Sequence, residues 1–357
     1  MPHPMPDRYV LVLAGGRGER FWPWSRPERP KQLLPLAPGG RSLLAATLDR
    51  ALRLAPAPGV LVLTASALVP SVREQCPAGV RVLGEPAPRN TAPAIGLAAG
   101  LFHATSQEAS FAVLPADHAV DDEAAFVADL TRGFKVAEKE AVLVTFGVRP
   151  STPEPNFGYI RPGTQIADRL SRVAAFTEKP ERAVAERYVN QGYLWNTGIF
   201  VWRARVFLDA LRAARPVLAA TLAPLGESMD DAEWERRMTE RFPACESISV
   251  DYAVMERAPN VLVFEASFDW DDLGSWGAWA RRQARDDRGN VRFGRTVVLD
   301  CDRCVVVGDG GIAAAVGLRD MVVVHAGGAT LACRIDRTED VRAVSEAARV
   351  GHTKETR

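Results

Sequence analysis

Three glycines within four residues, Gly15, Gly16 and Gly18, follow directly on an apolar run at 9–13, and the stretch continues through Arg17 and Arg20 to Pro30-Lys31-Gln32. Glycine lets a backbone approach a polyphosphate closely and turn its N–H groups towards it. Arg17, Arg20 and Lys31 then supply cations for a triphosphate. Two commoner loops can be tested by spacing. Gly16-Arg17-Gly18 begins like the dinucleotide fingerprint, but Phe21 stands where a third glycine should allow close helix packing. The phosphate loop G-x-x-x-x-G-K-[ST] is absent from the chain. A glycine-rich turn without ligand stays open, because a lone glycine fingerprint is weak. Between Gly15 and Lys31, five cations (Arg17, Arg20, Arg26, Arg29, Lys31) outnumber two anions (Glu19, Glu28).

Such a loop needs a sheet to hold it. The apolar runs at 9–13, 60–64, 80–83, 111–114 and 142–146 read as buried strands, with helical spacing at 43–51, 91–104 and 123–138 between them. This alternation predicts βαβ units and a sheet covered on both faces. The stretch 156–179, rich in Gly, Pro and aromatics, reads as a hairpin over the sheet's edge. Residues 203–242 read as helical and 261–268 as strand. Beyond a polar turn at 286–290 the composition changes to short strands at 297–299, 305–307, 312–316 and 321–324, then an amphipathic helix at 338–350.

The whole chain balances 44 Lys+Arg against 44 Asp+Glu over 357 residues, with 47% hydrophobic residues. Nucleic-acid binding through phosphate neutralisation usually shows a basic surplus, and disorder shows high net charge with few apolar residues, so neither is expected. The N-terminus has no basic region, and the apolar run at 9–14 is too short for a signal peptide or membrane span, which makes a cytoplasmic protein the expectation. Five scattered cysteines argue against a disulfide framework. Cys301-Asp302-Arg303-Cys304 has no second pair to complete a zinc site.

The run LAGGRGERFWPWSRPERPKQLLPL at 13–36 closely resembles the signature of sugar-1-phosphate nucleotidyltransferases, in which a Gly-Gly-x-Gly-x-Arg loop is followed by Pro-Lys. Its Pro-Lys-Gln ending and Trp-Pro-x-Ser-Arg centre are similar to the mannose-1-phosphate guanylyltransferase branch. Further segments match in order: Glu85-Pro86, Arg89-Asn90-Thr91-Ala92-Pro93-Ala94, Pro115-Ala116-Asp117-His118, Phe157-Gly158-Tyr159-Ile160, Phe176-Thr177-Glu178-Lys179-Pro180, Trp195-Asn196-Thr197-Gly198 and Trp270-Asp271-Asp272-Leu273-Gly274-Ser275-Trp276. The resemblance implies an α/β fold: a Rossmann-like nucleotidyltransferase domain with a mixed, mainly parallel sheet at 1–285, and a small all-β, short β-helix-like domain at 286–357.

It also implies roles. Arg20, Arg17 and the amides of Gly15, Gly16 and Gly18 would hold the triphosphate, and Lys31 would stand between the sugar phosphate and the α-phosphate. Mg²⁺ or another divalent ion suits hard phosphate oxygens. Asp117, placed just beyond an apolar strand, and Asp272 would hold it, with Asp269 and Asp271 as alternatives to Asp272 and a plain turn or cap role as the alternative for Asp117. His118 reads as a neighbour of the site. Glu85, Pro86, Arg89, Asn90 and Thr91 would read guanine, although Thr91 also suits the N-cap of a helix beginning at Ala92. Gly158, Glu178, Lys179 and Asn196 would form the hexose-phosphate pocket. The tryptophans Trp195 and Trp276 read as core.

The expected activity is transfer of GMP from GTP to α-D-mannose 1-phosphate, as a homodimer and with one activity, because the chain ends before the isomerase domain of longer relatives. The alternatives are another nucleotide or hexose 1-phosphate, or a catalytically silent homologue that binds a sugar nucleotide.

Overall fold

The computed structural model describes residues 7–16, 18–226 and 231–355. The chain divides into two compact units. The first takes the chain up to Gly15, Ala45–Ala116 and Val120–Trp270; the second takes Gly16–Leu44, Asp117–Ala119 and the chain from Asp271 onward. The composition change at 286 lies just ahead of the second unit's sheet, whereas compactness draws the phosphate loop into that same unit.

The first unit forms a nine-stranded sheet: β1 (Arg8–Leu13), β2 (Val60–Ala65), β3 (Arg81–Glu85), β4 (Ser110–Pro115), β5 (Leu143–Val148), β6 (Tyr159–Ala167), β7 (Leu170–Thr177), β8 (Leu194–Arg203) and β9 (Val261–Glu265). Of these, β1, β2, β4, β5 and β9 are apolar runs buried on both faces. Their order is β3-β2-β1-β4-β8-β5-β9-β7-β6. The segment β3-β2-β1-β4 is parallel throughout, as the alternating pattern predicts, and β5 pairs in parallel with β9. Antiparallel pairing enters with β8, and the 156–179 stretch forms the β6–β7 hairpin.

The helices of this part of the chain are α1 (Leu43–Leu52), α2 (Val69–Arg73), α3 (Thr91–Thr105), α4 (Glu123–Lys139), α5 (Arg182–Asn190), α6 (Ala204–Ala214), α7 (Pro216–Leu222) and α8 (Asp231–Arg241). Helix α3 is buried almost all round, which explains its lack of a polar face. It contributes to a core with Tyr9, Phe111, Trp202 and Phe207, in which the Tyr9 and Phe102 rings stack at 4.6 Å between centroids. Truncating Trp202 to Ala would cost about 3–5 kcal/mol.

The second unit carries a four-stranded sheet, β10 (Val291–Leu299), β11 (Val305–Val316), β12 (Met321–Ala326) and β13 (Ala329–Arg334), with α9 (Trp276–Arg281) ahead of it in the chain and α10 (Val341–Glu355) after it. The first three strands are parallel and β13 is antiparallel to β12. The stretches 305–307 and 312–316 belong to one strand, because an irregular register between Gly294 and Thr296 absorbs the intervening glycines. Strand β13 goes beyond the strands expected from sequence, although Gly327-Gly328, both at positive φ, is a strong two-residue hairpin signal.

Phe21, Trp24, Trp276, Trp279 and Phe293 pack as one aromatic cluster, which confirms Trp276 as core. Asp309 on β11 accepts from Trp24 Nε1 at 2.8 Å and from Arg29 Nη1 at 2.7 Å. The loop ahead of Lys31 is therefore tied to the small sheet by both packing and polar bonds. Cys301 and Cys304 lie buried in the sheet's core as free thiols. No helix among the described residues is long and apolar enough to cross a membrane.

Candidate functional site

In the second unit, Gly18 is the point at which the loop turns. It has φ 61, and a Cβ there would overlap Lys31, so glycine is required twice over. Its carbonyl accepts from Ser25 Oγ at 2.6 Å and from Phe21 N–H at 3.0 Å. Lys31 begins a short 3-10 turn and its side chain is only 8% exposed. Its ammonium donates to Asp117 Oδ2 at 3.0 Å and to the carbonyl of Asp272. Burying an ammonium is costly unless it is paired, and here both acceptors come from candidate site residues.

The two carboxyls feel this pairing differently. Burial opposes ionisation of Asp117, but the charges of Lys31 and then His118 bring its pKa below the ordinary value. Burial pushes Asp272 up to about 6, with Lys31 opposing and Asp271 and Asp117 adding to the rise. Arg20 Nη1 donates to Gly274 O at 3.4 Å, and a side chain at Gly274 would crowd both Asp272 and Arg20. Gly16 approaches the same centre, its Cβ position lying 4.0 Å from Asp117 Oδ2. Arg20, Lys31, Asp117, Asp272 and Gly274 line a cleft of about 310 Å³, which His118 and Arg342 also border. Arg17 lies outside the described residues.

Of the acidic alternatives, Asp269 accepts from the N–H groups of Asp121 and Asp122, at 2.9 and 3.0 Å, ahead of α4. Asp271 accepts from Leu273 N–H at 2.7 Å. Among the described residues no group of three or more His, Cys, Asp or Glu side chains is arranged to hold a metal ion by itself. Asp272, whose ionisation the charge of Asp117 opposes, and Asp117 suit a cation that takes its remaining ligands from phosphate and water.

In the first unit, Glu85 ends β3, and its Oε2 lies 3.4 Å from the Cβ position of Gly15. Its Oε1 is buried without a hydrogen-bond partner, and burial pushes the carboxyl up to about 7. Such an atom is a ready acceptor for a ligand N–H. Pro86 beside it is exposed. Arg89 donates through Nε at 2.9 Å, and through Nη2, to the carbonyl of Pro243.

Helix α3 begins at Thr91, and its cap is Asn90 rather than Thr91: the Asn90 side chain accepts from Thr91 N–H at 2.9 Å. Asn90 sits at φ 66, a conformation that asparagine tolerates better than threonine. The Thr91 hydroxyl instead accepts from Val250 N–H at 2.9 Å, while Ala92 N–H donates to Ile248 O at 3.1 Å.

The four predicted sugar-side residues also come together. Asn196 N–H donates to Gly158 O at 2.8 Å, a Cβ on Gly158 would overlap the Glu178 carboxylate, and Lys179 Nζ lies 2.9 Å from Glu178 Oε1. Lys179 holds φ 49, a strained conformation that aims its side chain. Trp195 is buried beneath them. A fifth group, Asp251, belongs to this cluster: its Oδ1 accepts from Asn196 Nδ2 at 3.0 Å. Burial, then the charge of Glu178, pushes Asp251 up to about 7. It opens a π-helical turn, Asp251–Met255, a distortion frequent at functional sites. Only its place after Ser249-Val250 marks it in the chain, and that carries no sequence signal.

A family model described as Nucleotidyl transferase matches residues 9–288, and one described as MannoseP isomerase/GMP-like beta-helix domain matches residues 294–347. The chain belongs to the nucleotidyltransferase family. The xanthan biosynthesis protein XanB of Xanthomonas campestris is 36% identical over 95% of this chain and 73% of its own length. A mannose-1-phosphate guanylyltransferase of Escherichia coli K12 is 36% identical over the same shares. The crystal structure of a mannose-1-phosphate geranyltransferase from Thermus thermophilus is 36% identical, with a TM-score of 0.87 over 96% of this chain and all of that one. This nucleotidyltransferase is thus an enzyme with the α/β domain and the β-helix-like domain that its motifs implied.

Proposed function

We propose that the protein is a mannose-1-phosphate guanylyltransferase. The observation that carries the chemistry is the buried Lys31 ammonium held between Asp117 and Asp272 beside Arg20; the relatives named for mannose 1-phosphate and guanylyl transfer support the substrates. A sugar phosphate monoester has a second pKa of about 6, so at neutral pH it is already a dianion and needs no general base. One of its oxygens attacks the α-phosphorus of GTP, the bond from that phosphorus to the β-phosphate oxygen breaks, and pyrophosphate leaves with the electron pair. Products are GDP-mannose and pyrophosphate, without a covalent enzyme intermediate.

Catalysis of this kind is positioning and charge neutralisation. Lys31 neutralises charge where attacking and transferred phosphates meet, and Arg20, with Arg17 and the glycine amides, holds the departing end. Asp117 and Asp272 would hold Mg²⁺, which supplies further neutralisation of phosphate charge when bound. Glu85, with its unpaired acceptor, reads the guanine N–H edge, assisted by Pro86 and the Arg89-Asn90-Thr91 loop. Glu178 and Asn196 take sugar hydroxyls, and Lys179 takes the sugar phosphate.

Incubation with Mg²⁺, mannose 1-phosphate and each nucleoside triphosphate in turn should release pyrophosphate with GTP; equal turnover with UTP would sink the guanine assignment, and no release with any would leave a binding protein. We further propose a cytoplasmic homodimer. The exposed row Val297, Leu299, Ile312 and Val316 on β10 and β11 supports a contact between copies, and light scattering of a monomer at micromolar concentration would remove it.

A further inference from the structure

The cleft around Lys31 contains one cation that no sequence motif announced. Arg342, the second residue of α10, borders it together with Arg20, Lys31, Asp117 and Asp272. Its Nε lies 3.4 Å from Glu19 Oε2 and 3.2 Å from Glu346 Oε1, yet its side chain remains 62% exposed. Three residues earlier, Glu339 places Oε2 at 3.3 Å from Arg20 Nε, also from a largely exposed position.

Charge decides what these residues are for. Among the described residues bordering the cleft, the acids are Glu19, Asp117 and Asp272 and the permanent cations are Arg20, Lys31 and Arg342. A polyphosphate brings several negative charges of its own, so each further cation at the cleft favours it. Arg342 is such a cation, and its planar fork suits phosphate oxygens better than a point charge does. Glu339, in turn, occupies the arginine that the departing phosphates need. An exposed ion pair of this kind is worth little, so it yields readily to the stronger charge-assisted bonds of phosphate.

We propose that the head of the C-terminal helix completes the pyrophosphate end of the triphosphate site: Arg342 contacts the β- and γ-phosphates, and Glu339 is a stand-in anion that holds Arg20 until phosphate replaces it. This rests on the nucleotidyl-transfer reading and adds two residues to it. The roles have opposite signs, which a structural contact would not produce. Arg342→Ala should raise the KM for GTP, and for pyrophosphate in the reverse reaction, about tenfold, the scale of one charge-assisted hydrogen bond. The KM for mannose 1-phosphate should stay unmoved, and Arg342→Lys should recover part of the loss. Glu339→Gln should instead lower the KM for GTP, about twofold to fivefold.

Calorimetric binding of pyrophosphate, with and without Mg²⁺, to the full chain and each variant provides a readout that needs no turnover, and thermal midpoints confirm folding. Wild-type protein that binds pyrophosphate more tightly than Arg342→Ala but makes no sugar nucleotide would overturn the functional reading and uphold this one. Equal pyrophosphate affinity in the two proteins, or a loss in Glu339→Gln as large as that in Arg342→Ala, would overturn this one. Absence of pyrophosphate binding by the wild type would overturn both.

Discussion

Asp117 in the second unit and Asp251 in the first are both carboxyls penalised by burial, yet they move in opposite directions. Asp117 is brought below the ordinary range because Lys31 and His118 stand against it. Asp251 is pushed up to about 7 by burial and then by the like charge of Glu178, against which Lys179 counts for less. The difference follows the ligands each region is read to meet. Phosphates carry permanent charge, and the second unit's cleft holds fixed ammonium and guanidinium groups. Sugar hydroxyls and base edges are neutral and both give and accept hydrogen bonds, and the first unit holds carboxyls whose pKa is raised towards neutrality, Asp251 and Glu85 among them. A buried carboxyl with a raised pKa can present either an acceptor or a donor.

The contrast can be broken at Lys31. Lys31→Ala should lower kcat about a hundredfold or more, the scale for losing one preorganised transition-state donor. A loss under threefold would show that charge is not the currency of that region. Asp251 should give the next effect, in pH rather than rate. Its carboxyl ionises near 3.8 ordinarily and near about 7 in the native protein, so the native state holds the extra proton across that window. Its contribution to stability therefore falls as pH rises from about 4 to about 7. Asp251→Asn removes that slope, and the variant's thermal midpoint relative to wild type should be more favourable at about pH 8 than at about pH 5. A difference that does not change with pH would place the proton elsewhere. Thr91→Val, which strips the buried Val250 N–H of its acceptor, should cost roughly 1–3 kcal/mol in denaturant unfolding. No loss would mean that the base-reading loop and the Asp251 turn are not held together through that bond.

The parts of the site that are legible in sequence are those whose chemistry is written in consecutive residues. Gly18, Lys31, Asp117 and Asp272 sit in short motifs, and the structure gathers them around one ammonium. Gly158, Glu178, Lys179 and Asn196 likewise read as one pocket, and they touch. The fold is legible wherever an apolar run has the length of a strand. What escapes depends on partners far apart in the chain. Asp251 acquires meaning only from Asn196, and Arg342 only from the cleft it borders. Arg89 and Thr91 show another gap: sequence places them ahead of a helix but does not announce that Arg89 donates to Pro243 O and that the Thr91 hydroxyl accepts from Val250 N–H.

The ties that hold the phosphate loop also fix when it can form. Trp24 and Arg29 wait for Asp309, 285 and 280 residues later, and Glu19 waits for Arg349, 330 residues later. At a synthesis rate of about 5–20 residues per second, these partners leave the ribosome tens of seconds after the loop does. The parallel strands β1 to β4 can pair during that interval, while the glycine loop cannot yet take its bound shape. A nascent chain would therefore pair these strands well before Trp24, Arg29 and Glu19 find the partners that hold the loop, so the sheet precedes the loop it carries.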